Sequence, residues 1–190
     1  SPKLRQCIES NVYKLEEQNT DLNRPGKKQK KIQSGKTRTF IGVMALAFDR
    51  GYDVTIILTK GTKALAQQTY QRMKKEFAFF DDQVQFLDIM INLPEKLSKY
   101  ELNQKMILVV KKQKDNLSKL QKMLFETYPE LSNKKILIVD DEADYASIGF
   151  SKDKNERIAI RTIAGQIDSI REQLSKCSFL QVTATPYSLY

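Results

Sequence analysis

Histidine is absent from all 190 residues. Imidazole ligands for zinc and imidazole acid–base catalysis are therefore excluded. Only two cysteines occur, Cys7 and Cys177, too far apart to match any metal-ligand spacing. No apolar run is long enough to span a bilayer, and no stretch reads as a signal peptide. A reducing, cytoplasmic setting without a membrane partner is expected. No internal repeat is visible. Acids are missing from residues 22–48, which carry Arg24, Lys27, Lys28, Lys30, Lys31, Lys36 and Arg38.

What is present suits one α/β domain. The chain is 41% hydrophobic, enough for a packed core. Its net charge of +9 suits a polyanionic partner or ligand, although a merely soluble basic surface would give the same figure. Residues 3–19 read as an amphipathic helix, with Leu4, Ile8, Val12 and Leu15 on one face. Arg24-Pro25-Gly26 reads as a turn. The segment from Phe40 to Phe48 is apolar nearly all round, which suggests a buried helix, and Gly51 ends it.

Strands and helices then alternate. Strands are expected at Val54–Thr59, Val84–Ile91, Met106–Val110, Ile136–Val139 and Phe179–Thr183. Helices are expected over 62–79, after Pro94, over 115–127 and over 156–175. Their apolar stripes (Ala66, Tyr70, Met73 and Phe77; Leu117, Leu120 and Leu124; Ile160, Ile163, Ile167, Ile170 and Leu174) read as core faces. This order implies a mainly parallel sheet with helices on both faces.

Two motifs carry chemistry. Ile32-Gln33-Ser34-Gly35-Lys36-Thr37 precedes the first apolar helix. A helix N-terminus binds anions through its free N–H groups. There Gly35 allows close backbone approach to a phosphate, Lys36 can neutralise the β and γ phosphates, and Thr37 can place its hydroxyl on magnesium. The P-loop pattern asks for glycine five residues before Gly35, where Lys30 stands. Four lysines in a buried central strand would be too costly. Residues 27–31 are thus expected to be exposed, irregular or poorly defined.

The second motif is Ile136-Leu137-Ile138-Val139-Asp140-Asp141-Glu142-Ala143-Asp144, a strand running into carboxylates. Ligands bind outside the carboxyl ends of parallel strands. Asp141 is the expected magnesium-side acid and Glu142 the residue that orients or activates water. Without a phosphate turn, an acid-capped strand end would be the simpler reading. Thr183-Ala184-Thr185-Pro186 ends the last strand, where Thr183 and Thr185 can hydrogen-bond an acid such as Asp144 and relay nucleotide state.

Ser34-Gly35-Lys36-Thr37, Asp141-Glu142-Ala143-Asp144 and Thr183-Ala184-Thr185 resemble motifs I, II and III of the superfamily 2 (DEAD/DEAH-type) helicases and translocases. The resemblance runs from about residue 24 to 190, so residues 1–23 read as an N-terminal helix and lead-in, and 24–190 as the RecA-like lobe. It implies a three-layer P-loop NTPase fold with ATP and Mg2+. ATP contacts would come from Gln33, Ser34, Gly35, Lys36, Thr37 and Arg38, magnesium contacts from Thr37 and Asp141, and catalysis from Lys36, Asp141 and Glu142. Adenine is read upstream in that family, where Arg24 and Gln29 are weak candidates. Thr59-Lys60-Gly61-Thr62-Lys63 resembles motif Ia, which implies nucleic-acid backbone contacts from Thr59, Lys60, Thr62 and Lys63. Basic residues after another strand, Lys111, Lys112 and Lys114, can track the same backbone.

The wording is closer still to motors found with bacterial restriction and phage-defence endonucleases, especially Asp140-Asp141-Glu142-Ala143-Asp144-Tyr145-Ala146-Ser147 and Thr183-Ala184-Thr185-Pro186-Tyr187. That implies a DNA setting, favouring DNA over RNA, and a nuclease domain or subunit. Such motors bind ATP between two lobes, and arginines of the second complete the site. A single lobe is expected to bind nucleotide weakly and turn it over poorly. Two other classes stay open: a small-molecule P-loop phosphotransferase, and a non-hydrolysing basic nucleic-acid-binding module.

Overall fold

A computed structural model describes residues 29–31, 36–59, 63–76, 84–89, 96–141 and 154–183. The expected helix over 3–19 and the turn at Arg24-Pro25-Gly26 lie outside them. Six strands form one sheet: β1 Gln29–Lys31, β2 Val54–Thr59, β3 Val84–Asp88, β4 Lys105–Lys111, β5 Lys135–Asp141 and β6 Lys176–Thr183. Their spatial order is β1-β6-β5-β2-β4-β3, and every pair is parallel. The helices are α1 Lys36–Asp49, α2 Lys63–Glu76, α3 Lys99–Asn103, α4 Lys114–Lys122 and α5 Lys154–Gln173.

The central strands β2, β4 and β5 are buried on both faces, as a parallel sheet requires. Val54 to Leu58 and Met106 to Val110 are continuous buried runs. Side-chain alternation sorts them into two cores. On one face Val54, Ile56, Leu58, Ile136 and Ile138 pack with Leu117 and Leu120 of α4 and with Ile167 and Ile170 of α5. On the other, Ile57, Leu137, Val139 and Leu180 pack with Val43, Met44 and Ala47 of α1 and with Met73 of α2. Each fully buried large apolar side chain contributes about 1.5–3 kcal/mol. The chain is thus a three-layer α/β domain, as its pattern of alternating elements implied.

Local signals explain the ends. Helix α1 stops in a Schellman turn: Tyr52 N–H donates to Ala47 O at 3.0 Å and Gly51 N–H to Phe48 O at 3.1 Å. Gly51 has φ of 79°, the left-handed conformation that turn needs. Helix α3 begins in a capping box, in which Glu101 N–H donates to Ser98 Oγ and Ser98 N–H to Glu101 Oε2. Helix α4 continues through a π-helical turn over Met123–Thr127. Leu117, Leu120 and Leu124 are all buried, as their spacing predicted. Ile167 and Ile170 of α5, and Leu174 just past it, are buried, while Ile160 and Ile163 are half-buried. Of the stripe on α2, Met73 is buried and Tyr70 half-buried.

One expectation is corrected: strand β3 ends at Asp88 rather than running to Ile91. Residues 29–31 of the lysine-rich segment form the short strand β1, with Lys31 level with Thr183. Among the described strands β1 stands at the sheet edge, bonded only to β6, so it is not the central lysine strand that the cost argument ruled out.

Candidate nucleotide-binding edge

Because the sheet is entirely parallel, the carboxyl ends of its strands share one edge. The register brings Lys31 beside Thr183, Asp141 beside Val182, Leu58 beside Asp140, and Thr59 beside Lys111. Residues 32–35 join the end of β1 to the start of α1 at Lys36. The edge therefore collects the ends of β1, of β6 with Thr183 and of β5 with Asp141. Strand β6 lies between β1 and β5, so its end lies between Lys31 and Asp141.

Lys36, Thr37 and Arg38 form the first turn of α1, where backbone N–H groups lack helical partners. Asp141 is the last residue of β5, Thr183 of β6 and Thr59 of β2, and Lys63 is the first of α2. Gln29 lies in β1. Arg24, Gln33, Ser34, Gly35, Lys60, Thr62, Glu142, Asp144 and Thr185 lie outside the described residues.

Strand alternation separates the two aspartates of β5. Leu137 and Val139 face α1, so Asp141 falls on the α1 side. Ile136 and Ile138 face α4 and α5, so Asp140 falls on the opposite side. There it is 1% exposed. The ammonium of Lys112, just past β4, donates to Asp140 Oδ1 at 2.6 Å and to the carbonyl oxygen of Asp141 at 2.8 Å. Burial pushes the Asp140 carboxyl above the usual carboxylate range, and the Lys112 charge opposes that rise. Breaking such a buried pair from one side costs about 3–5 kcal/mol.

This pair corrects the reading of Lys112 as a backbone-tracking lysine. Its side chain is 11% exposed and its charge is engaged inside the sheet edge. Thr59 is also turned inward, at 3% exposure. The Lys112–Asp140 pair was absent from the sequence reading. Its signals were one acid more than the magnesium and water roles need, and a lysine pair at the end of a neighbouring apolar run.

The residues fit a hydrated magnesium ion. Thr59 Oγ1 is buried with no hydrogen-bond partner among the described residues. It lies level with Asp141 and on the same side of the sheet. A buried hydroxyl without a partner beside a carboxylate suits a water held on a cation. Magnesium keeps several waters and takes one or two carboxylates along with substrate phosphates.

An all-parallel sheet covered by helices on both faces, with an acid-tipped strand at its carboxyl edge, has the architecture of a RecA-like α/β lobe. The chain belongs to the DEAD/DEAH box helicase family, whose model matches residues 30–189. A search of curated proteins returns no match. The chain is an ATP-binding, RecA-like lobe of helicase type, a family that uses ATP, usually with magnesium, and binds nucleic acid. No helix among the described residues is long and apolar enough to cross a membrane.

Proposed function

We propose that this lobe binds ATP at the shared strand edge and works in a nucleic-acid-dependent motor of a DNA restriction or phage-defence system. The observation that carries the site is the strand order, with β6 between β1 and β5. It brings Lys31, Thr183 and Asp141 to one edge, where the three motifs must act on one ligand.

Gln33, Ser34, Gly35 and Arg38 line the phosphate turn. Lys36 neutralises the β and γ phosphates, while Thr37 and Asp141 hold magnesium, Asp141 through water. Bound magnesium neutralises charge developing on the phosphate oxygens. Glu142 orients the attacking water and takes its proton. Asp144 bonds Thr183 and Thr185, which links the acids to the end of β6. Lys60, Thr62 and Lys63 meet the nucleic-acid backbone, and Thr59, whose hydroxyl is buried, ends the strand that leads to them. Turnover requires arginines from a second RecA-like lobe, and a nuclease domain or subunit acts alongside. The defence setting and the preference for DNA rest on the wording around Asp140–Ser147 and Thr183–Tyr187. The setting is cytoplasmic.

Nucleotide binding with Lys36→Ala, Asp141→Asn and Glu142→Gln tests the assignment. Lys36→Ala should lose ATP binding, and Asp141→Asn should lose the gain from magnesium. Glu142→Gln should bind Mg·ATP normally yet fail to hydrolyse it when a second lobe is supplied. Equal binding by wild type and Lys36→Ala would sink the reading.

A further inference from the structure

Lys112 joins three strand tips. Its backbone N–H donates to Thr59 O at 2.8 Å, at the end of β2. Its ammonium donates to Asp140 Oδ1 and to Asp141 O, at the end of β5. Lys112 itself directly follows β4. The Asp141 carbonyl is the last point at which β5 can be fixed before the chain leaves the strand for Glu142. A charge-assisted bond there restrains the backbone that carries the Asp141 carboxylate.

We propose that Lys112 is a positioning residue for the magnesium–nucleotide site. The ammonium acts from the α4–α5 side, anchored by Asp140, and fixes the backbone whose other side bears Asp141. Asp140 serves to keep the ammonium in place. The β2 tip, which leads into the basic segment Lys60–Lys63, is tied to the same residue. This inference rests on the nucleotide reading given above. Groups that orient a metal ligand from behind commonly change metal affinity about 10–100-fold when removed.

The test compares Lys112→Met, Lys112→Arg and the double variant Lys112→Met/Asp140→Leu. It uses chemical denaturation, amide hydrogen exchange and nucleotide binding with and without magnesium. Lys112→Met should be destabilised, because it leaves Asp140 buried without its counter-charge. The double variant removes both charges and should recover stability. Its Mg·ATP affinity should nevertheless stay about 10-fold below wild type, with affinity in EDTA unchanged. Exchange in a peptide covering 135–141 should rise in both Met variants, while one covering 54–58 should not change. Lys112→Arg, which keeps donors for both oxygens, should restore most of the magnesium gain.

A double variant that regains both stability and wild-type Mg·ATP affinity would overturn the proposal and leave the pair a purely structural one. Unchanged exchange at 135–141 in Lys112→Met would overturn it as well. Failure of the nucleotide reading looks different: the wild type itself would bind no Mg·ATP, and the positioning role would fall with it.

Discussion

The hydroxyl of Tyr128 accepts a hydrogen bond from the backbone N–H of Leu97 at 2.7 Å, in a buried setting. The two residues lie 31 positions apart, and the bond ties the lead-in to α3 onto the turn that follows α4. Leu97 and Tyr128 both pack into the core shared by α4 and α5. Tyr128→Phe keeps that packing and removes the acceptor alone. A buried N–H left without a partner costs about 1–3 kcal/mol. Denaturant titration should show a loss in that range with an unchanged slope. A loss well below it would mean that water reaches Leu97 N–H.

Gly51 isolates a backbone effect. A Cβ built on it meets nothing within 4 Å, so no clash enters. Its φ of 79° is costly for any side chain with a Cβ. Gly51→Ala should therefore destabilise by about 1–2 kcal/mol, and Gly51→Asn, which tolerates this conformation better, by less. Equal losses for the two would show that the α1 stop has rearranged.

Much of the fold was legible because its signals are local. The apolar run Val54–Thr59 marks β2 with both ends correct, and the spacing of Leu117, Leu120 and Leu124 marks a buried face. Strand order was not legible. Nothing in Gln29-Lys30-Lys31 says that it pairs with Gln181-Val182-Thr183, some 150 residues on. Its regular pairing as an edge strand resolves the lysine problem through topology, which local composition does not encode. The place of Asp141 at a strand end could be picked from its neighbours, since an apolar run leads directly into it. The partner of Asp140 could not, because Lys112 is 28 residues away and arrives through a crossover that passes over β2. Thr59 shows the same limit: its place at the strand edge follows from sequence, but its inward turn follows from alternation within the assembled sheet.

Cys177 supplies a pH prediction. Burial pushes its thiol from an ordinary 9.0 up to about 12, with the nearby Arg171 charge opposing the rise. Below pH 9 the thiol is protonated in both folded and unfolded chains, so it adds no pH dependence. Above that, the unfolded chain releases the proton while the folded chain keeps it, and stability falls until the folded value near 12 is reached. Lysines and tyrosines also titrate in this range, so the comparison must be with Cys177→Ala. The stability advantage of wild type over that variant should be constant up to pH 9 and then shrink, by at most about 1.4 kcal/mol per unit. A constant difference to pH 11 would show that the site is wetter than its packing implies. Alkylation of Cys177, measured in a Cys7→Ser background, should likewise be slow until the chain unfolds.

Salt dependence tests the proposed contact of Lys60 and Lys63 with nucleic acid against lysines spent inside the protein. Each phosphate neutralised contributes about 0.9 to the slope of log affinity against log salt on duplex DNA, and about 0.7 on single strands. Lys60 and Lys63 flank the start of α2, just past the tip of β2. Replacing both with Gln should lower the slope by roughly 1–2 and weaken binding similarly across sequences. Lys105 gives the contrast. Its ammonium donates to Tyr52 O at 2.7 Å and to Asp53 Oδ1 at 3.1 Å, at the amino ends of the strands, far from the nucleotide edge. Lys105→Gln removes one formal charge and should leave the slope unchanged, because counterion release follows local contact with phosphate rather than net charge. The measurement is a fluorescence-anisotropy titration at several salt concentrations, with the second lobe present. Equal slope losses for the Lys60/Lys63 and Lys105 variants, scaled per charge, would reduce nucleic-acid binding to a general effect of the basic surface.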